Sequence, residues 1–426
     1  MPHKTILVCT VGGSHQPIVT AINGVRPDFT CFVCSGTDPG TGRPGSEVQI
    51  TGTGLVIKER PDAAKATLLN IPAQTALPLD AFEVVIVPAD DLDGAVAAIR
   101  KAFATLGERF PQAKIIADYT GGTKTMTAAL VTAVLESDSI DLQLVTGNRA
   151  DLVKVRNGTE YSACANIDAI RLQRAMAPFL GAWRRFAYDE SGEGLASIRV
   201  PGNDALRSRL ARARDLSRAF AAWDRFDHGE ALRLLEIYAA VISAELGRHL
   251  GVLRGLVEFS EQQEPLRLFD LWLNAERRAA QGRYDDAVAR LYRLLEWAAQ
   301  WLLRTRCNID TSDIPLDKIP EGIDLKIDRT GKRQAGLFTA WSLVGKLTSG
   351  PAKVFVDTQL PALQGQVLLR NNSILAHGFT PIGREAWLAF RAWSENNFLP
   401  MLLQETAAVR LRTLPPQLPA EYRWLA

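Results

Sequence analysis

The stretch Lys114-Ile115-Ile116-Ala117-Asp118-Tyr119-Thr120-Gly121-Gly122-Thr123-Lys124-Thr125-Met126 decides how the first part of this 426-residue chain is read. Residues 114–119 are a short apolar run of strand type, two glycines break it, and a helical pattern follows from about 126 to 136. The same order occurs near the start of the sequence. Residues 5–11 (TILVCTV) form the continuous apolar, β-branched run expected of a strand buried on both faces. Gly12-Gly13-Ser14 then interrupts it, and a helix is expected over 16–23. Outward from these two units, strands are expected at 29–35, 83–87 and 141–145, with a helix over 92–106. A hairpin is expected to join 152–155 to 160–163 around Asn157-Gly158. Residues 36–54 are rich in Gly and Pro and read as a long loop. Strands alternating with helices predict a doubly wound α/β domain, Rossmann-like, with a mostly parallel sheet over residues 1–165.

Beyond residue 166 the strand signals stop. Helical periodicity is expected over 167–186, 205–226, 229–250, 265–281, 284–304, 338–347, 354–370 and 385–405, with loops at 191–204 and 308–334. The clearest case is 284–304, where Val288, Leu291, Leu295, Ala298 and Leu302 recur at spacings of three and four. The C-terminal half is therefore expected to be all-α, with 166–275 a helical connector and 276–426 a second functional domain.

Composition narrows the classes. Hydrophobic residues make up 47% and charged residues 23%, as in a globular protein with a sizeable core. The net charge of +2 provides no broad basic face, so a nucleic acid would be held locally. Residues 1–165 carry 14 Lys/Arg against 17 Asp/Glu, a balance of −3 that leaves +5 for the remainder. No apolar run approaches the roughly 18 residues of a membrane span, and no basic leader with a cleavage site opens the sequence. A cytoplasmic protein without membrane attachment is expected. The CxxC at Cys31–Cys34 sits in a strand-like run with no second CxxC or His nearby, so packed free thiols are expected rather than a zinc site.

Two glycine loops would lie at the carboxyl edge of the sheet, where open α/β folds bind ligands. They are Thr10-Val11-Gly12-Gly13-Ser14-His15-Gln16 and Thr120-Gly121-Gly122-Thr123-Lys124, the latter running on to Met126. Glycines allow backbone amides to approach a phosphate, and the helix N-termini beyond them favour anions. Ser14, Thr120 and Thr123 offer hydroxyls and Lys124 a charge. Two tight strand–helix turns would need the same glycines without binding anything. A P-loop is excluded, since Thr123 stands where Gly must precede the Lys and Asp118 where the earlier Gly is needed. Neither loop has GxGxxG, which argues against a nicotinamide enzyme.

A second constellation is Arg370-Asn371-Asn372-Ser373-Ile374-Leu375-Ala376-His377-Gly378. If it is helical, the seven-residue step puts Arg370 and His377 on one face, roughly 10 Å apart along the axis. Arg presents a permanent fork of donors to phosphate and His exchanges protons near neutral pH, the pair that metal-free RNA cleavage requires. A helix-terminal His favoured by the macrodipole, beside a surface Arg, has the same spacing. Arg293 and Glu296, on a polar face of the 284–304 helix, could support such a site or form an ordinary surface pair.

These motifs carry a family resemblance. Asp118–Met126 resembles the second ligand-binding motif of CARF domains, the CRISPR-associated Rossmann folds, and Thr10–Ser14 is similar to their first-strand loop. Tyr284-Asp285-Asp286-Ala287-Val288-Ala289-Arg290-Leu291-Tyr292-Arg293 and the Arg370–His377 segment resemble the HEPN half of CARF–HEPN ribonucleases of type III CRISPR systems. The resemblance covers both ends of the chain and leaves 166–275 as connector. It implies a homodimer activated by cyclic tetra- or hexa-adenylate, bound by Thr10, Val11, Gly12, Gly13, Ser14, Gln16, Thr120, Gly121, Gly122, Thr123, Lys124 and Met126. It further implies metal-independent cleavage of single-stranded RNA by Arg370, Asn371 and His377, with cyclic oligoadenylate as activator and no metal or other cofactor. Other readings share most of these residues. One is a CARF-controlled regulator, for which no basic recognition helix stands out. The others are a binding module with a non-catalytic HEPN domain, and a CARF domain that cleaves its own activator near Thr10, Ser14 or Lys124.

Overall fold

The computed structural model describes residues 4–52, 69–147, 159–371 and 378–424, and of 366–371 the backbone alone. The chain divides into two compact units, Met1–Arg174 and Ala175–Ala426.

The first unit is built on strands β1 (Thr5–Thr10), β2 (Phe29–Ser35), β3 (Phe82–Val87), β4 (Lys114–Asp118), β5 (Ile140–Thr146) and β6 (Tyr161–Cys164). Their order in the sheet is β3-β2-β1-β4-β5-β6. All pairs are parallel except β5–β6, which is antiparallel at the edge. Helices α1 (Gln16–Val25), α2 (Val48–Thr51), α3 (Ile71–Gln74), α4 (Leu92–Arg109) and α5 (Lys124–Leu135) connect the strands, and α6 (Asp168–Gly181) follows the sheet. The run 5–11 behaves as its composition requires. Ile6 and Val8 pack into one core with the buried faces of α4 and α5, and Leu7, Cys9 and Val11 into another with α1. Cys31 and Cys34 fall in those two different cores, so the CxxC sulfurs lie on opposite faces of the sheet and are free thiols. Burial pushes the Cys34 thiol up to about 12. The expected hairpin is only partly described. Its second arm is β6, which pairs with β5, whereas 152–155 and the Asn157-Gly158 turn lie outside the described residues.

The second unit is helical. It comprises α7 (Tyr188–Ser197), α8 (Asp204–Asp224), α9 (His228–Glu236), α10 (Ala239–Val257), α11 (Gln263–Ala280), α12 (Tyr284–Cys307), α13 (Leu337–Leu347), α14 (Pro351–Asn371), α15 (Arg384–Trp393) and α16 (Leu399–Thr406). Two cores fill it. One gathers Trp183, Tyr188, Phe220 and Trp223 with Leu418 and Trp424 of the C-terminal segment. The other surrounds the 24-residue α12 and draws on α11, α13, α14 and the α15–α16 region.

Three expectations are corrected here. Residues 191–204 are not all loop, because α7 runs to Ser197 and buries Tyr188, Ser191, Gly192 and Leu195 as one helical stripe. The expected loop at 308–334 contains a two-residue hairpin, β7 (Lys326–Ile327) with β8 (Arg333–Gln334). The helix expected over 385–405 is not regular: it passes through a π turn at Ser394–Phe398, two residues before Pro400, whose ring cannot continue a regular hydrogen-bond ladder.

A buried polar network ties the two cores of this unit together. The Arg277 side chain is wholly buried on α11. Its Nε donates to Asp224 Oδ1 at 2.7 Å, its Nη2 to Asp270 Oδ1 at 3.2 Å and its Nη1 to Gln417 Oε1 at 2.8 Å. The other Asp270 oxygen contacts His228 Nε2 at 2.9 Å and accepts from Trp223 Nε1 at 3.2 Å. Helices α8, α9 and α11 and the C-terminal segment thus share one set of charges.

Candidate functional site

The sheet order reverses between β1 and β4, and the loops after these two strands meet at that switch point. Their contact is backbone on backbone. A Cβ on Gly12 would lie 2.7 Å from the Gly122 nitrogen, and one on Gly121 would lie 2.2 Å from the Thr10 carbonyl oxygen. Gly122 adopts φ +84°, in the left-handed region that favours glycine. Thr10 Oγ1 donates to the Gly121 carbonyl at 2.7 Å, and Gln49 on α2 donates to the Gly12 carbonyl. The glycines are therefore needed for the loops to close on each other. Gly12→Ala should destabilise the first unit by about 1–3 kcal/mol, because the clash is with backbone that cannot rotate away. Gly13→Ala, with nothing within 4 Å of its Cβ, should be tolerated. Calorimetry of the full chain checks this, since all nine tryptophans lie beyond Arg174 and a transition silent in tryptophan fluorescence belongs to the first unit.

Asp118 holds the second loop from beneath. It is buried, and its two oxygens accept from the Thr120 amide at 2.9 Å and from Gln143 Nε2 at 3.0 Å. Burial raises its carboxyl above the usual range, and the Thr120 and Gln143 hydrogen bonds act against that rise. Thr120 Oγ1 accepts from the Val145 amide at 2.6 Å. Thr123 caps α5 by accepting from the Met126 amide at 3.2 Å and gives its own proton to the Ala89 carbonyl at 2.7 Å. Its hydroxyl is spent on the fold, where the sequence suggested a free donor.

An open cleft of about 770 Å³ lies at this edge. Of the twelve ligand residues expected from sequence, Val11, Gly12, Gly13, Gly122 and Thr123 line it. Thr10 and Met126 are wholly buried behind the wall. Ser14, Gln16 and Lys124 are exposed beside it, and Thr120 and Gly121 are half-buried in the loop. The opposite wall is formed by the 35–46 loop and the end of β3, which includes Asp38, Arg43 and Asp90. Arg43 is the cation on the wall among the described residues. The Gly and Pro residues of this loop signal irregular backbone without saying what it faces.

In the second unit α14 carries the chain to Arg370 and Asn371, its last two residues. Ala352, Phe355, Val356 and Leu363 anchor the helix in the core, so position 370 stands two turns, about 10 Å, beyond Leu363. His377 and the helical continuation expected through it lie outside the described residues. Beyond Gly378, Asp285 in the first turn of α12 accepts from the Ile382 amide at 3.2 Å through both oxygens. The returning segment is thereby tied to the start of α12. Arg293 and Glu296 form an ion pair of 2.7 Å on the surface of that helix, with Arg293 also 5.5 Å over the Trp297 ring.

Residues 257–397, which include Arg370, Asn371 and His377, match the family model of the Csm6 HEPN domain. Among solved structures, Enterococcus italicus Csm6 bound to cyclic hexa-2'-fluoro-hexa-dAMP shares the fold over 95% of both chains, with a TM-score of 0.57 and 11% identity. Can2 from Sulfobacillus thermosulfidooxidans in complex with cyclic tetra-adenylate is matched over 57% of this chain and 69% of its own, at a TM-score of 0.24 and 14% identity. No curated protein matches the sequence.

Proposed function

We propose that this chain, whose residues 257–397 match the Csm6 HEPN domain, is a CARF–HEPN protein and a metal-independent endoribonuclease for single-stranded RNA, switched on by a cyclic oligoadenylate. The observation that carries the proposal is the match of residues 257–397 to the HEPN model, because that span contains the Arg370–His377 motif. The domain limits proposed are 1–165 for the ligand-binding domain, 166–275 for the connector and 276–426 for the ribonuclease domain.

RNA brings its own nucleophile. The ribose 2′-hydroxyl loses its proton and attacks the adjacent phosphorus, the P–O5′ bond breaks, and the departing oxygen takes up a proton. The products are a 2′,3′-cyclic phosphate and a 5′-hydroxyl end. His377 serves as general acid or base. Arg370 stabilises the charge that gathers on the pentacovalent phosphate, and Asn371 orients one of the two. A two-fold dimer brings both copies of the motif into a composite site, so the active species is the homodimer. The activator belongs in the cleft of the first unit, with phosphates at the Gly12–Ser14 and Thr120–Lys124 loops. The Enterococcus italicus structure that shares the fold holds cyclic hexa-2'-fluoro-hexa-dAMP, which makes cyclic hexa-adenylate the first ring to try.

The test is incubation of the purified protein with labelled single-stranded RNA, in EDTA, with cyclic tetra-adenylate, with cyclic hexa-adenylate and with neither. Cleavage that rises with one ring, survives EDTA and leaves cyclic phosphate ends is expected. Cleavage lost in EDTA, or indifferent to both rings, would overturn the corresponding part of the proposal.

A further inference from the structure

The far wall of the cleft is a closed arm. Ser35 and Ser46 bond reciprocally, each amide donating to the other's hydroxyl at 2.9 Å, and so bring together chain positions eleven apart. Gly45 packs so closely that an added Cβ would sit 2.3 Å from the Ser35 and Gly36 carbonyl oxygens. At the tip Asp38 Oδ1 accepts from the Gly40 amide, the Thr41 amide and the Thr41 hydroxyl, and the Asp38 amide donates to the Arg43 carbonyl at 2.9 Å. Compact loops closed at the base in this way are frequently functional. The arm holds the Arg43 backbone and leaves its side chain unpaired, with no ion pair or side-chain hydrogen bond to any described residue.

The charges on the wall make that freedom consequential. Among the described residues lining the cleft, Arg43 is the one cation against the two carboxylates of Asp38 and Asp90. Lys124 lies outside the lining. The seam of Gly12 and Gly122 offers backbone but no net charge. Without Arg43 the wall would present two carboxylates, which repel any phosphodiester.

We propose that Arg43 is the phosphate anchor of this cleft, gripping one phosphodiester of the cyclic oligoadenylate from the side opposite the glycine seam. The assignment rests on the activator reading given above and adds to it a residue and a loop outside the two glycine motifs. A guanidinium fork suits a phosphate bidentately, and a lysine there would supply charge without the fork.

The experiment is equilibrium binding of cyclic hexa-adenylate and cyclic tetra-adenylate to the full chain and to its R43A, R43K and D90N variants, at two salt concentrations. R43A should weaken the ring that binds by about 10- to 100-fold, the span of a charge-assisted hydrogen bond. R43K should fall between R43A and wild type, D90N should bind as tightly or tighter, and R43A should show a shallower salt dependence. Unfolding midpoints without ring should coincide for all four proteins, because Arg43 is exposed and unpaired, so a loss of affinity is not a loss of fold. Equal affinity of R43A and wild type for a ring that wild type binds would overturn the assignment alone. A wild-type protein that binds neither ring would overturn the activator reading and this assignment with it.

Discussion

A His377→Ala protein is expected to cleave single-stranded RNA about 100-fold more slowly or worse, with Arg370→Ala as severely impaired, while both bind the activating ring as wild type does. General acid–base catalysis contributes about 10²–10⁴-fold, and removing one group that stabilises an oxyanion costs about 10²–10³-fold. Nothing else in the 257–397 span supplies a second histidine, since the remaining four are His3, His15, His228 and His249. His15 cannot stand in for it. It is buried at the start of α1 with its Nδ1 2.7 Å from Gln74 Nε2, and burial lowers its pKa. His228 is committed to Asp270 in the buried network. Undiminished cleavage by either variant would remove the catalytic assignment. Mixing the two inactive proteins then tests the composite site. Activity recovered in the mixture means that one subunit contributes the productive Arg and its partner the productive His, and no recovery means that both must come from the same chain.

The second large effect is on stability. Arg277→Met should destabilise the second unit by about 3–5 kcal/mol, as expected when one member of a buried ion pair is removed and its partner carboxylates stay behind. Asp270 would keep His228 and Trp223 as partners, and Asp224 would keep Asn274 and Arg278, which places the expected loss toward the lower end. Tryptophan fluorescence in a urea titration reads this directly, because all nine tryptophans belong to the second unit and Trp223 is itself part of the network. A midpoint and slope equal to wild type would show that the network contributes nothing to stability. Since the network joins α8 and α9 to α11, the same variant should also lose activated cleavage at temperatures where the second unit begins to open.

Much of this protein was legible in one dimension. The run 5–11 had to be a strand covered on both faces, because seven successive apolar or β-branched residues leave no polar side to turn to water. The glycine pairs at 12–13 and 121–122 marked the ends of two strands, and strand–glycine–helix recurring twice implied a parallel sheet with both turns at one edge. The spacing in 284–304 announced the helix around which the second unit packs, and the residue types at Arg370 and His377 are what the catalytic proposal rests on. All of these are local signals, carried within one or two turns of chain.

What depended on distant parts of the chain stayed hidden. Helix α7 was unreadable because Gly192 and Gly194 look like loop residues. A Cβ on Gly192 would lie 3.3 Å from the Arg218 side chain on α8, and one on Gly194 would overlap the Phe179 ring, so close packing demands glycine within a helix. Nothing local distinguishes the charges of Arg277, Asp224 and Asp270 from those of an ordinary amphipathic surface, since their burial depends on α8 and α11 packing together. Thr123 looked like a ligand donor until Ala89, 34 residues away, took its proton. Arg43 looked like a loop residue until the sheet order set β2 beside β1 and carried the 35–46 arm across from the glycine seam. In each case the deciding neighbour is remote in sequence, and only folding brings it within the few ångströms over which packing and hydrogen bonds act.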